Sequence, residues 1–84
     1  MNLNVLYFAR LREVFGVTSE NLALPDPANV GNLLDLLRQR GGVRSENLAA
    51  DRAFRVAVNQ DVANNDTPLS EHAEVAIFPP VTGG

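Results

Sequence analysis

One stretch of this chain, residues 30–40, has the apolar spacing of an amphipathic helix. Its apolar residues recur at i, i+3, i+4 and i+7, and they are Val30, Leu33, Leu34 and Leu37. Asn29 is a suitable N-cap residue, and Gly41 and Gly42 are a suitable stop. Such a helix is stable only when its apolar stripe packs against another element. We therefore expect it to cover one face of a β-sheet.

Four other segments have the alternation or the β-branched and aromatic content of strands. They are residues 2–8, 18–24, 54–59 and 75–78. The last strand should end at Pro79 and Pro80, because proline cannot donate a hydrogen bond to a ladder. Residues 64–68, Asn-Asn-Asp-Thr-Pro, have the composition of a turn.

Two short helices are predicted beside the long one. Residues 9–15 form a helical turn that ends at Gly16, a favourable residue after a helix C-terminus. Residues 45–52 form the other short helix, with Ser45 as its N-cap.

The order strand, strand, long helix, strand, strand predicts an α+β fold of the β-grasp type. The first two strands can form a hairpin, and the helix can return the chain to the same mixed sheet. The chain has 84 residues, enough for one core only. We expect a single domain over residues 1–84, in which residues 79–84 are a flexible C-terminal tail.

Composition excludes several functions. The formal charge is −3, so nucleic acid and anionic membranes are not expected partners. No apolar run has the length of a membrane span or the form of a signal peptide, which favours a cytoplasmic protein. The sequence has no cysteine, which rules out disulfides, thiolate metal sites and cysteine nucleophiles.

One helix covers one side of a small sheet, so the other side must face water or a partner. Asn2 and Asn4 mark the outward side of the first strand, and the same phase places Leu6 and Phe8 outward. Phe78 takes the outward phase of the last strand. A bulge that shifts the register would instead bury these side chains. Without a bulge they form an exposed apolar patch typical of interfaces.

The side chains offer no catalytic constellation. His72 is the single histidine and lies in a polar segment between Glu71 and Glu74, so we expect it to be solvated. No pair of carboxylates has the spacing of an acid and a base, and no set of residues has the spacing of a metal site. No bound cofactor or metal is expected.

The C-terminal segment is the remaining candidate. It has the sequence Pro79-Pro80-Val81-Thr82-Gly83-Gly84. Two prolines stiffen its base, and two glycines without Cβ atoms let the backbone pass through a channel too narrow for side chains. Many chains end in disordered glycines, so the pair alone is weak evidence. Combined with the fold and the aromatic patch, it favours a terminal carboxylate that enters another protein.

Three segments together resemble a known family. They are residues 5–13, 56–60 and 74–84, and the last, with Phe78, two prolines and the glycine pair, is the most specific. The chain resembles the small, sulfur-carrier subunit of molybdopterin synthase, a ubiquitin-like β-grasp family. It departs from the family pattern at His72-Ala73, where a Gly-Asp turn is common, so we expect His72 to take a positive φ.

This resemblance implies a role in molybdenum cofactor biosynthesis. An adenylyltransferase similar to ubiquitin-activating enzymes would use ATP to convert the Gly84 carboxylate to a glycyl-adenylate, a nucleotide-bearing form. Sulfur would then replace AMP, leaving a C-terminal 1-thioglycine. This thiocarboxylate would donate its sulfur to cyclic pyranopterin monophosphate and so form the molybdopterin dithiolene.

The resemblance also assigns roles to residues and partners. Gly84 is a cosubstrate, catalysis belongs to the large subunit, and the two subunits assemble as a heterotetramer. Gly83 and the tail residues thread the partner's channel, and the body docks through its surface; these are Phe8, Arg12, Phe78, Pro79, Pro80, Val81 and Thr82. Two alternatives stay open: a sulfur carrier for thiamine or another thiolation pathway, and a ubiquitin-like protein modifier or docking domain.

Overall fold

The computed structural model describes residues 1–49 and 52–80. These residues form, in chain order, β1 (Asn2–Tyr7), α1 (Ala9–Phe15), β2 (Ser19–Ala23), α2 (Val30–Gln39), α3 (Gly42–Asn47), β3 (Arg55–Val58), β4 (Asp61–Ala63) and β5 (Glu74–Phe78). No helix among them has the length and apolar content needed to cross a bilayer.

The strands form one sheet in the order β2-β1-β5-β3-β4. The central pair, β1 and β5, is parallel, and the other three pairs are antiparallel. This mixed sheet with its main helix confirms the predicted β-grasp architecture. The four predicted strands are present. The first three are shorter at one end or both than the sequence suggested, and the last begins one residue earlier, at Glu74.

The helix α2 covers one face of the sheet, as its apolar spacing predicted. Its four apolar residues are buried in one core with the inward residues of the two central strands, among them Leu3, Val5, Val75 and Ile77. Asn29 caps the helix: its Oδ1 accepts a hydrogen bond from the Asn32 backbone N–H at 2.9 Å, and its own backbone N–H donates to the Asn32 Oδ1 at 2.8 Å.

Residues 64–68 form the predicted turn, and it packs on the first turn of α2. The backbone N–H of Val30 donates to the Thr67 carbonyl at 3.0 Å, and that of Gly31 donates to the Asn65 carbonyl at 2.9 Å. A Cβ atom on Gly31 would lie 3.3 Å from that same carbonyl oxygen. Glycine here lets the loop satisfy N–H groups that a helix leaves unpaired.

The third helix begins earlier than predicted. It starts at Gly42 and ends at Asn47, so Ser45 lies inside it and is not its N-cap. The N-terminus is set by Gly41, whose φ of 71° is favourable only for glycine. Arg40 and Gly41 therefore separate α2 from α3. Of the predicted span 45–52, residues 50 and 51 lie outside the described residues.

One strand was not predicted. β4 forms a hairpin with β3 through Asn59 and Gln60, whose φ values of 50° and 75° are those of a type I′ turn. The Asn59 side chain accepts a hydrogen bond from the backbone N–H of Glu74 at 2.9 Å and so fixes the hairpin to β5. With three residues and one large apolar side chain, β4 has too little alternation to be recognised from sequence.

A polar cluster joins the edge of the covered face to the helices. Tyr7 donates to Glu20 at 2.6 Å, and Glu20 also accepts hydrogen bonds from Arg40 at 2.6 Å and Arg44 at 2.8 Å. Burial raises the pKa of Glu20, but these three hydrogen bonds outweigh it and hold the pKa at about 2. Phe15 packs edge-on against the Tyr7 ring at 4.8 Å and closes the cluster.

Two smaller expectations are confirmed. α1 ends at Gly16, which has a φ of 75°, and its N–H donates to the Arg12 carbonyl. His72 has a φ of 62°, and its side chain is largely exposed.

Candidate functional site

Cross-strand register places apolar residues in one row on the face of the sheet opposite α2. Leu6 pairs with Ala76, Ala76 with Ala57, and Ala57 with Val62. Directly paired residues point to the same side of a sheet, so the row crosses four strands. It ends on β4 at Val62, whose side chain is 80% exposed.

Two phenylalanines extend this row where the central strands end. Phe8 follows β1, is 44% exposed, and donates its backbone N–H to the Ile77 carbonyl at 3.2 Å. Phe78 is the last residue of β5 and is half-buried. The predicted outward phase is confirmed for both rings, and Leu6, left open by the sequence, is half-buried on the same face. We call this set the apolar patch: Leu6, Phe8, Ala57, Val62, Ala76 and Phe78, of which Ala57 is buried by its neighbours.

The other half of the same face is polar. Asn4 pairs with Asn21 on one side and Glu74 on the other, and Asn2 lies one pleat further from the patch. All four residues are exposed or half-buried. The open face therefore has a solvated half and an apolar half, and only the apolar half has the character of an interface core.

The apolar patch surrounds the exit of the C-terminal segment. β5 lies in the middle of the sheet, so the chain leaves it with β1 on one side and β3 on the other. Pro79 and Pro80 follow directly and are half-buried. The predicted tail residues Val81, Thr82, Gly83 and Gly84 lie outside the described residues.

One exposed arginine borders the patch, and another lies on α1. Arg12, predicted as a docking residue, is exposed on α1. Arg55, which sequence reasoning missed, pairs directly with Phe78 and is exposed. The missed patch residues were Ala57 and Val62. The alternation of β3 could have placed Arg55 and Ala57 outward, whereas Val62 required the hairpin to be recognised.

The patch supplies a surface and no reactive side chain. Its six residues are all apolar, and they include no nucleophile, acid or base. Among the described residues, no group of three or more histidine, aspartate or glutamate side chains could hold a metal ion. The groups with shifted pKa values in the Tyr7–Glu20 cluster lie on the covered side of the sheet. The patch itself therefore has the chemistry of an interface.

These features define a class: a β-grasp protein of one domain, with an apolar docking face around the exit of its C-terminal strand. The chain belongs to the ThiS family, whose model matches residues 5–84.

Curated relatives match over nearly the whole chain. The molybdopterin synthase sulfur carrier subunit of Escherichia coli (strain K12) is 38% identical, with 98% of this chain and 99% of the relative covered. Small archaeal modifier protein 3 of Haloferax volcanii is 33% identical and is covered completely, as is this chain.

Solved structures share the fold. A putative molybdopterin converting factor, subunit 1, from Pyrococcus furiosus superposes with a TM-score of 0.81 at 30% identity, covering 96% of this chain and 99% of that one. A chain in the protein–protein complex of subunits 1 and 2 of the Helicobacter pylori molybdopterin-converting factor has a TM-score of 0.70 over the full length of both chains. Its identity is 21%, so this likeness concerns the fold alone.

Proposed function

We propose that this chain is a sulfur carrier for molybdenum cofactor biosynthesis and that the Gly84 carboxylate is its working group. The observation that carries the proposal is the position of the apolar patch, which surrounds the exit of the strand that leads into Pro-Pro-Val-Thr-Gly-Gly. A docking surface in that position directs the tail toward whatever protein covers it. Relatives named as sulfur carrier subunits support this role.

The chemistry begins with activation, because a carboxylate is a poor electrophile. A carboxylate oxygen of Gly84 attacks the α-phosphorus of ATP in a separate adenylyltransferase, and pyrophosphate leaves. A sulfide equivalent then attacks the acyl carbon, and the C–O bond to AMP breaks. The product is a thiocarboxylate, in which one oxygen of the terminal carboxylate is replaced by sulfur.

Delivery follows in a larger partner. We propose that the large subunit of molybdopterin synthase binds the apolar patch and receives the tail, as in a heterotetramer of two small and two large subunits. The sulfur of the thiocarboxylate attacks a carbon of cyclic pyranopterin monophosphate that bears oxygen, and the C–O bond there breaks as a thioester to Gly84 forms. Water then cleaves the bond between the sulfur and the Gly84 acyl carbon, which restores the carboxylate, and two such deliveries supply the two sulfurs of the dithiolene. Side chains that catalyse this attack belong to the partner, since the apolar patch has none.

The test is the intact mass of the chain after incubation with its adenylyltransferase, ATP and a sulfide source. We expect a gain equal to the exchange of one oxygen for sulfur. A variant lacking Gly84 should show no gain, and Thr82→Ser, which changes the tail but keeps both glycines, should behave as the wild type. Absence of the sulfur-containing species in the wild type would contradict the proposal.

A second candidate function is protein modification, which similarity to a small archaeal modifier protein favours. In that case the activated Gly84 carbonyl would be attacked by a lysine amine of a target, and AMP would leave as the amide forms. Stable amide-linked conjugates in cell extract, without any thiocarboxylate, would support modification over sulfur transfer.

A further inference from the structure

A second surface lies at the far edge of the sheet, between α2 and the β3–β4 hairpin. It is a groove of about 670 Å³, a volume within the range of binding sites. Its walls include apolar side chains from both layers, namely Val30, Phe54, Val56 and Ala63. Val56 and Ala63 are paired across the hairpin, so they present one continuous apolar strip. Nothing in the sulfur-transfer chemistry proposed above uses this groove.

Charge distinguishes the groove from the rest of the molecule. Arg38, Arg52 and Arg55 line it, with Asp66 as the one carboxylate among the described lining residues. The chain as a whole has a formal charge of −3. Three of seven basic residues therefore border one depression on an acidic protein, which favours an anionic occupant.

The three arginines are available to different degrees. Arg38 is held in place, since its Nε donates to the Leu48 carbonyl at 2.6 Å and its Nη1 lies 3.3 Å from Asp35. These contacts fix the guanidinium and leave further N–H donors. Arg52 and Arg55 are exposed, and neither takes part in an ion pair among residues 1–49 and 52–80. Arginine forks of this kind favour carboxylates.

The shape indicates an extended ligand. β4 is an edge strand, so one side of its backbone is open to pairing with an added strand. Val62 and Arg55 line the groove and also lie on or beside the open face that bears the apolar patch. A segment in the groove would therefore continue directly from a protein seated on the patch. Pairing along the open backbone of β4 favours a polypeptide over a nucleic acid.

We propose that this groove binds an extended acidic segment of a partner protein, with an apolar side chain on the Phe54–Val56 floor and carboxylates on Arg52 and Arg55.

The test is an NMR titration of the full chain, ¹⁵N-labelled, with an acetylated nonapeptide of alternating glutamate and leucine. We expect saturable amide shifts at Val56, Ala63 and Asn65, and none at Asn21 on the polar half of the open face. Replacing glutamate by glutamine in the peptide should abolish the shifts, and higher salt should weaken them.

Charge-reversal variants test which arginine side chains bind the acidic peptide. Arg52→Glu should weaken binding of the peptide by about fivefold to tenfold, because one exposed attraction is lost and one repulsion is added. Arg10→Glu, the same charge reversal on the exposed side of α1, should leave the affinity unchanged. Arg52→Glu should still accept the C-terminal sulfur, so failure of the groove and failure of the carrier proposal give different results.

Three outcomes overturn the proposal: no shifts at millimolar peptide, equal weakening by the two reversals, or shifts at the groove with AMP or inorganic phosphate but not with the peptide. The last outcome would make the groove a site for small anions.

Discussion

The two faces of this sheet are made by alternate residues of the same strands, yet they differ in what covers them. Val5 and Ile77 are fully buried beneath the helices, whereas their neighbours Leu6 and Phe78 lie half-buried on the open face. Both sets are apolar. The covered set has its partner within the chain, and the open set requires one from outside. In β1 and β5, the side chains on the covered face therefore stabilise the fold, and the side chains on the open face are available to bind a partner.

This difference divides the effects of substitution. Removing atoms from the covered face leaves a cavity and lowers the free energy of unfolding. Removing atoms from the open face leaves folding almost unchanged and weakens association. A substitution on the open face that strongly lowers the free energy of unfolding would contradict this division between the two faces.

The largest effect is expected at Leu37, which is fully buried on the inner side of α2. Leu37→Ala should lower the free energy of unfolding by about 2–5 kcal/mol, through lost burial and the cavity that remains. Urea denaturation measures the change. Gln39→Ala, at an exposed site on the same helix, should stay within about 0.5 kcal/mol of the wild type. A loss below about 1 kcal/mol for Leu37→Ala would mean that the covered face repacks freely.

The next effect concerns pH at the edge of the covered face. The pKa of Glu20, about 2, lies below that of an unfolded glutamate, so its contribution is present above about pH 4.5 and is lost as pH falls toward 2. We expect about 3 kcal/mol of acid-sensitive stability from this group, measured by urea denaturation between pH 7 and 2. Glu20→Gln should lack that component.

Glu13→Gln, on the exposed side of α1, is the control for this profile. It should keep the wild-type dependence on pH. If Glu20→Gln were as acid-sensitive as the wild type, the hydrogen bonds from Tyr7, Arg40 and Arg44 would not stabilise the fold through this carboxylate.

Substitutions on the open face are expected to change the affinity for a partner and not the free energy of unfolding. Phe8→Ala combined with Val62→Ala should weaken binding to the large subunit of molybdopterin synthase about tenfold or more, since the double substitution removes an aromatic ring and a largely exposed aliphatic side chain from the apolar patch. Isothermal titration calorimetry measures the dissociation constant. Asn21→Ala, on the polar half of the same face, should leave the dissociation constant unchanged. An equal loss of affinity for Asn21→Ala would contradict the assignment of binding to the apolar half.

The smallest effect is expected at Gly31, in the helix that covers the sheet. At an exposed position inside a helix, Gly→Ala usually raises the free energy of unfolding by about 1 kcal/mol. Here the new Cβ would lie 3.3 Å from both the Asn65 carbonyl oxygen and the Asn29 Oδ1, so we expect no gain and a loss of up to about 1 kcal/mol. Thermal and urea denaturation test this expectation, and a stabilised Gly31→Ala protein would contradict it.

The sequence was sufficient where a local pattern decided the structure. Alternation placed Leu3, Val5 and Tyr7 inward, and the helical spacing from Val30 to Leu37 defined the covering layer. It failed where conformation, not hydrophobicity, set a boundary. Gly41 begins α3 by its backbone geometry, whereas the hydroxyl of Ser45 suggested a later start.

Prediction of the site failed for a related reason. Phe8 and Phe78 could be placed from the phase of their own strands, but the row from Leu6 to Val62 depends on register among four strands. Register joins residues far apart in sequence, and no local pattern specifies it. The roles of Gly83 and Gly84 come from family resemblance and stay predictions, since both lie outside the described residues.

The central position of β5 has a mechanical consequence. Its ladder bonds run to β1 on one side and β3 on the other, and the strand leads straight into the tail. A force applied to the tail along β5 therefore acts on the backbone hydrogen bonds of both ladders, and many of them must break together. A tail attached to an edge strand could instead be separated from the sheet one hydrogen bond at a time. A partner that binds the tail, as proposed above, would therefore act on the two ladders of β5 together and not on an edge of the sheet.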